Sequence, residues 1–162
     1  MASPGARPAT PGTATLRHDG RQGIAVYGSN NTFDGLTLLG LPGLFNANGN
    51  VQHGVYLDNA QGTVIRNMTL RGCGSPVYSV RGSQQTLVED TIFDGWGSAC
   101  LGIGGSATIR RCSLLQNDPN VGTPKNHGIY LFSGSGNVKI EDCLIKGVRG
   151  WAVHVYGETV GA

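Results

Sequence analysis

Gly62-Thr63-Val64-Ile65-Arg66-Asn67-Met68-Thr69-Leu70-Arg71-Gly72 decides the fold, because its pattern recurs four more times along the chain. Aligned on the first strong apolar position, here Ile65, the other copies are Phe33-Asp34-Gly35-Leu36-Thr37-Leu38, Val88-Glu89-Asp90-Thr91-Ile92-Phe93, Ile109-Arg110-Arg111-Cys112-Ser113-Leu114 and Ile140-Glu141-Asp142-Cys143-Leu144-Ile145. Each reads apolar, charged, turn-former, small, variable, apolar. A second apolar pair precedes each copy: Ile24/Val26, Val55/Leu57, Tyr78/Val80, Leu101/Ile103 and Ile129/Leu131, with Val153/Val155 after the last. Short β-rich runs punctuated by Gly, Asn and Ser, and repeating about every twenty residues or more, mark a solenoid of short strands. Helical periodicity is sustained nowhere.

The spacing between copies sets the coil. Eight residues separate Leu70 from Tyr78, Phe93 from Leu101 and Ile145 from Val153, and eight also separate Leu16 from Ile24. Ala14-Thr15-Leu16 is therefore expected to be the last strand of an incomplete coil, and Val153-His154-Val155 the first strand of another, with five full coils between them. Two connections are longer: Leu38 to Val55 is seventeen residues and Leu114 to Ile129 is fifteen. Insertions in a solenoid form loops on one face, often the working face. Residues 1–13, with Pro4, Pro8 and Pro11 among Ala, Gly and Thr, read as a flexible leader, and 14–162 as one domain. Neither terminal segment has the pattern of a capping helix. The open ends predict either an excerpt of a longer solenoid or capping by identical or partner subunits.

Composition narrows the function classes. With 162 residues, 27 glycines, 14% charged residues and net charge +2, the chain is neither disordered nor polybasic. Basic residues neither cluster nor interleave with aromatics, so nucleic acid is not an expected partner. Apolar runs are far too short for a membrane span. Cys73, Cys100, Cys112 and Cys143 lack Cys-x2-Cys spacing, so no zinc site or other cofactor site is read. Cys112 and Cys143 share a column of the repeat and are expected as stacked core thiols, although the strand spacing permits a bridge.

Several charges have a structural reading. The position after the first apolar residue holds Asp34, Arg66, Glu89, Arg110 and Glu141 in order, alternating in sign at every step. On adjacent strands this becomes an exterior ladder of opposite charges, which favours correct register. Asn67, Asp90 and Asp142 occupy the next column, where a sharp bend suits residues that tolerate left-handed geometry; Gly35 and Arg111 break that column.

The outward column of the first strand is expected to run Ala25, Tyr56, Ser79, Gly102, Tyr130, His154. Tyr56 and Tyr130 then stand three coils apart, roughly 14 Å at about 4.8 Å per strand. Ser79 and Gly102 would form a low floor between them, a trough wide enough for roughly two or three sugar rings. His53 and His127 occupy equivalent places at its margin, and Arg81, Asp58 and Lys125 are within reach. Each histidine reads equally as part of the generic coil repeat.

His53-Gly54-Val55-Tyr56-Leu57 and His127-Gly128-Ile129-Tyr130-Leu131, each followed by an Ile-x-Asn/Asp turn at Ile65-Arg66-Asn67 and Ile140-Glu141-Asp142, resemble the coil repeat of the pectate-lyase-like superfamily. The resemblance covers about residues 14–157. It implies an all-β, right-handed parallel β-helix, extracellular, on a cell surface or in a virion, with an acidic polysaccharide along the first-strand face. In that reading Arg81 or Lys125 neutralises a uronate carboxylate while His127 or Tyr130 takes the adjacent proton, giving β-elimination, and Tyr56, His53, Asp58, Ser79 and His154 bind substrate. A lyase-type calcium site would need several carboxylates on this face, where only Asp58 is available. Paired-carboxylate hydrolysis likewise lacks its aspartates. The competing expectation is a non-catalytic structural or adhesive β-helix, such as part of a viral tail or surface spike.

Overall fold

The computed structural model describes residues 14–18, 21–40, 52–80, 82–117, 126–132 and 135–157. Its strands fall in coils. The chain enters with β1 (Thr15–Arg17), and the first full coil is β2 (Gln22–Val26), β3 (Thr32–Asp34) and β4 (Thr37–Leu39). The second is β5 (His53–Asp58), β6 (Val64–Arg66) and β7 (Thr69–Cys73), and the third β8 (Ser75–Val80), β9 (Thr86–Glu89) and β10 (Ile92–Trp96). The fourth is β11 (Ala99–Ile103), β12 (Ala107–Arg110) and β13 (Ser113–Asn117), and the fifth β14 (His127–Leu131), β15 (Val138–Glu141) and β16 (Leu144–Ile145). β17 (Val153–Val155) starts a sixth. Among the described residues every ladder is parallel, and three sheets result: β2-β5-β8-β11-β14-β17, β3-β6-β9-β12-β15 and β1-β4-β7-β10-β13-β16. The fold is the right-handed parallel β-helix that the resemblance implies, with the five full coils that the spacing predicts.

One inward position per strand builds the core. Leu16, Leu38, Leu70, Phe93, Leu114 and Ile145 are in register through the third strands, and Phe33, Ile65, Val88, Ile109 and Ile140 through the second. Their central members are fully buried, with Val55, Leu57, Leu101 and Ile129 of the first sheet closing the third side. Burial of each such side chain stabilises by about 1.5–3 kcal/mol. All four cysteines are free thiols: Cys73, Cys100 and Cys112 are buried and Cys143 is half-buried.

The charge ladder forms in the expected register, Asp34–Arg66–Glu89–Arg110–Glu141. Arg66 Nε meets Asp34 Oδ2 at 2.8 Å, and Arg110 meets Glu89 at 2.7 Å. Glu89 is the covered member, held by Arg110 and also by Arg111 at 2.9 Å. Hydrogen bonds from Asn67 and then Arg66 hold the Asp34 carboxyl below its ordinary range.

The bend after this ladder is left-handed in all five coils. Gly35, Asn67, Asp90, Arg111 and Asp142 have φ of 71°, 53°, 50°, 52° and 50°. Gly35 and Arg111 thus keep the column's geometry although they change its residue type. For Arg111 the compensation is visible, since its guanidinium pairs with Asp90 at 2.7 Å as well as with Glu89.

The register of β8 differs from the expectation. Val77 and Ser79, not Tyr78 and Val80, lie over the inward residues Leu101 and Ile103, so Leu70 and Val77 are seven residues apart. Ser79 is buried and Tyr78 takes the outward place. Shifting a strand by one residue moves every side chain to the other face. In Ser75-Pro76-Val77-Tyr78-Ser79-Val80 both phases carry apolar residues, and stacking Val77 on Val55 and Leu101 selects one.

Candidate functional site

The outward face of the first sheet carries two columns, three residues apart in each coil. Tyr56, Tyr78, Gly102, Tyr130 and His154 are in register, preceded by Ala25. The companion positions are His53, Ser75, Ala99, His127 and Trp151, preceded by Gln22. The three-residue offset arises because the glycine after each histidine turns inward. A Cβ at Gly54 would stand 3.1 Å from Leu70 Cδ2 and 3.2 Å from Cys73 Sγ, and one at Gly128 2.9 Å from Ile145 Cγ2. With those positions facing the core, His53 and His127 emerge on the outer face.

Aromatic rings fill most rungs. His53 stacks on Tyr78 at 4.4 Å and on Tyr56 at 5.4 Å, and Tyr56 and Tyr78 are nearly parallel at 6.2 Å. His127 stacks on Trp151 at 5.2 Å and on Tyr130 at 5.4 Å, while Tyr130 and Tyr156 stack at 6.2 Å. The fourth coil interrupts the column with Ala99 and Gly102. Phe132 reaches back across that gap, edge-on to Tyr78 at 5.2 Å and to Tyr130 at 4.9 Å.

The interruption leaves a cleft of about 480 Å³, bounded by Tyr78, Tyr130, Phe132, Trp151, His154 and Tyr156 over Ser98, Ala99 and His127. Trp151 and Tyr156 are exposed at 60% and 51%, so large apolar rings face solvent at its rim. The backbone N–H of Trp151 donates to His127 Nδ1 at 3.2 Å, and His127 Nε2 lies 3.1 Å from His154 Nδ1. Below them, the buried Trp96 indole N–H donates to the His127 carbonyl at 3.1 Å. Burial raises the Tyr78 phenol above its ordinary value, with smaller contributions from Tyr56 and Tyr130. Another cleft, of about 380 Å³ beside Gln85, Ser106 and Thr108, lies on the second sheet and has no aromatic lining.

The cleft gathers His127, Tyr130 and His154 from the residues expected at the site. His53 and Tyr56 form the neighbouring stack on the far side of Tyr78. Ser79 is not part of the face at all, because the β8 register turns it into the interior. The low floor expected between Tyr56 and Tyr130 is accordingly occupied by Tyr78, and the trough is shorter. Asp58 lies on β5 two residues past Tyr56, paired with Val80 and away from the cleft lining. Arg81, Lys125 and most of both inserted segments lie outside the described residues. Among the described residues no group of three or more His, Cys, Asp or Glu side chains is placed to hold a metal ion.

Phe132, Trp151 and Tyr156 are not among the expected site residues, and Tyr78, expected in an inward pair with Val80, stands instead in the outward column. A signal for Trp151 exists in the offset itself: His53-x-x-Tyr56, His127-x-x-Tyr130 and Trp151-x-x-His154 share one spacing.

A family model described as a right handed beta helix region matches residues 13–160. The chain belongs to the right-handed β-helix family. No curated protein and no solved structure matches it. Membership in the β-helix family accounts for the coil repeat, the inward ladders and the left-handed bends. It leaves open what the aromatic face does, since this scaffold serves unrelated functions. No helix among the described residues is long and apolar enough to cross a membrane.

Proposed function

We propose that this β-helix binds a polysaccharide at the aromatic cleft of its first sheet, an acidic glycan being the substrate class implied by the family resemblance. The supporting observation is the break in the ring column at Ala99 and Gly102, which opens a cleft between Tyr78 and Tyr130 with exposed Trp151 and Tyr156 at its rim. Aromatic rings with polar edges suit sugars, whose C–H faces pack on the ring while their hydroxyls reach phenol and imidazole groups. The cleft volume fits a short stretch of chain better than a polymer running unbroken from Tyr56 to Tyr130, because Tyr78 and Phe132 stand in that path.

Cleavage by β-elimination is a further part of the proposal. His127 has both ring nitrogens engaged and His154 Nδ1 is taken up by His127, so Tyr130 is the group a substrate proton would meet first. Titration of Trp151 fluorescence with neutral and uronate-containing oligosaccharides tests binding, with saturation and loss of the response in Trp151→Phe as the expected result. No response to any glycan refutes the reading. Growth of the ultraviolet absorbance of an unsaturated uronate marks a lyase, and binding without it leaves a glycan-binding module.

A structural or adhesive role is favoured by a different observation, the exposed Val153, Val155 and Leu144 at one end of the stack. Those residues would pack against another coil, at a cell surface or in a virion. Sedimentation giving only monomer at high concentration refutes self-stacking.

A further inference from the structure

The hydrogen bonds around His127 have a fixed direction. The Trp151 N–H can only donate, so His127 Nδ1 must carry its lone pair toward it. A neutral imidazole then holds its proton on Nε2, and that proton points at His154 Nδ1, 3.1 Å away. His154 Nδ1 must accept, which puts the His154 proton on its own Nε2. One backbone donor thereby sets the tautomer of two rings in succession.

An additional proton has no place in this relay. On His154 Nδ1 it would face the His127 Nε2–H; on His127 Nδ1 it would face the Trp151 N–H. Either site sets two donors against each other and loses one hydrogen bond. The other titratable groups lining the cleft, among the described residues, are Tyr78 from β8, Tyr130 from β14 and Tyr156 after β17. Among the described residues the lining includes no carboxylate, lysine or arginine.

We infer that Trp151, His127 and His154 form a one-way donor relay that holds one wall of the cleft closed while both imidazoles are neutral, and that uptake of a single proton opens it. The wall moves because Trp151 is anchored there: its indole lies on His127 at 5.2 Å and 16° and against His154 at 4.5 Å. Both rings and the indole line the same cleft, so ligand affinity falls when the relay breaks. This last step rests on the glycan reading, whereas the relay does not.

The first test uses the ligand-free protein. Long-range ¹⁵N–¹H correlation spectra at neutral pH are expected to show His127 and His154 both protonated on Nε2 and bare on Nδ1. A proton on His127 Nδ1 overturns the relay. On acidification the two rings are expected to take up one proton in a shared step, accompanied by a change in Trp151 emission that vanishes in Trp151→Phe and loses its pH dependence in His127→Phe. Independent titration of the rings, or unchanged Trp151 emission, also overturns it. The spectra of the unaltered protein decide the matter if His127→Phe fails to fold. With a bound glycan as probe, affinity is expected to fall about fivefold across the same step, the equivalent of one lost hydrogen bond. A panel in which no glycan binds defeats the functional reading and leaves the relay intact, while a flat ligand-free titration does the reverse.

Discussion

Tyr78 leans over Gly102: a Cβ at Gly102 would come within 2.7 Å of the Tyr78 ring and 3.2 Å of Phe132. The two residues occupy the same outward column on adjacent strands, and the absence of a side chain on one lets the other lie down. The cleft on the aromatic face depends on that arrangement.

Gly102→Ala is expected to lift the Tyr78 ring, narrow the cleft and cost about 1–3 kcal/mol of stability as overpacking. Adding Tyr78→Ala should recover part of that loss, because the closest contact is then gone and only Phe132 remains near the new Cβ. Equilibrium unfolding of the two single variants and the double variant measures the coupling, and strict additivity would contradict the contact.

His53 gives the fold a dependence on pH. Burial, and then the charge of Arg21, push its imidazole from 6.5 down to about 4. The unfolded chain therefore binds a proton at higher pH than the folded one. The folded state is favoured fully above about pH 6.5, loses stability as pH falls toward about 4, and levels off below that. The loss attributable to His53 is ~3 kcal/mol. Urea unfolding across this range checks it, and His53→Phe, which keeps a ring against Tyr56 and Tyr78, should flatten the profile.

At the left-handed bend, Asp142 has φ of 50° on an exposed turn. Asp142→Val should destabilise by about 1–2 kcal/mol, since a branched Cβ crowds the following carbonyl. Asp142→Gly should stay within about 0.5 kcal/mol of the parent. Thermal unfolding compares them, and equal losses for both would point to a side-chain role instead of backbone geometry.

The cysteines are expected to be poor nucleophiles. Burial pushes the Cys73 and Cys112 thiols up to about 12 and raises Cys100 well above its ordinary value. In mildly alkaline buffer a thiol reagent should modify at most the half-buried Cys143 before denaturant is added, and all four cysteines afterwards. Fast labelling of more than one thiol in the native protein would contradict the packed core.

The coil was legible because a stacked ladder repeats its chemistry coil after coil. Leu16, Leu38 and Leu70 declare their shared column by their place in the repeat, and the alternating signs from Asp34 to Glu141 identify neighbouring strands. Even the bend geometry of Asn67, Asp90 and Asp142 could be read, since few residue types adopt it readily.

The face was only partly legible. In β8, Val77 and Tyr78 are both apolar, so local pattern allowed two phases, and contact with Val55 and Leu101 chose the one that buries Ser79. The inward turn of Gly54 and Gly128 is likewise invisible in a strand read by alternation, yet it brings His53 and His127 outside. By itself, then, the sequence determined the repeat and the buried columns of the second and third sheets, because each follows from the periodic placement of apolar and charged residues. Only the tertiary structure decided which rings meet across coils, where the column is interrupted and how the His127 and His154 nitrogens face each other, because those depend on packing between residues that no local period relates.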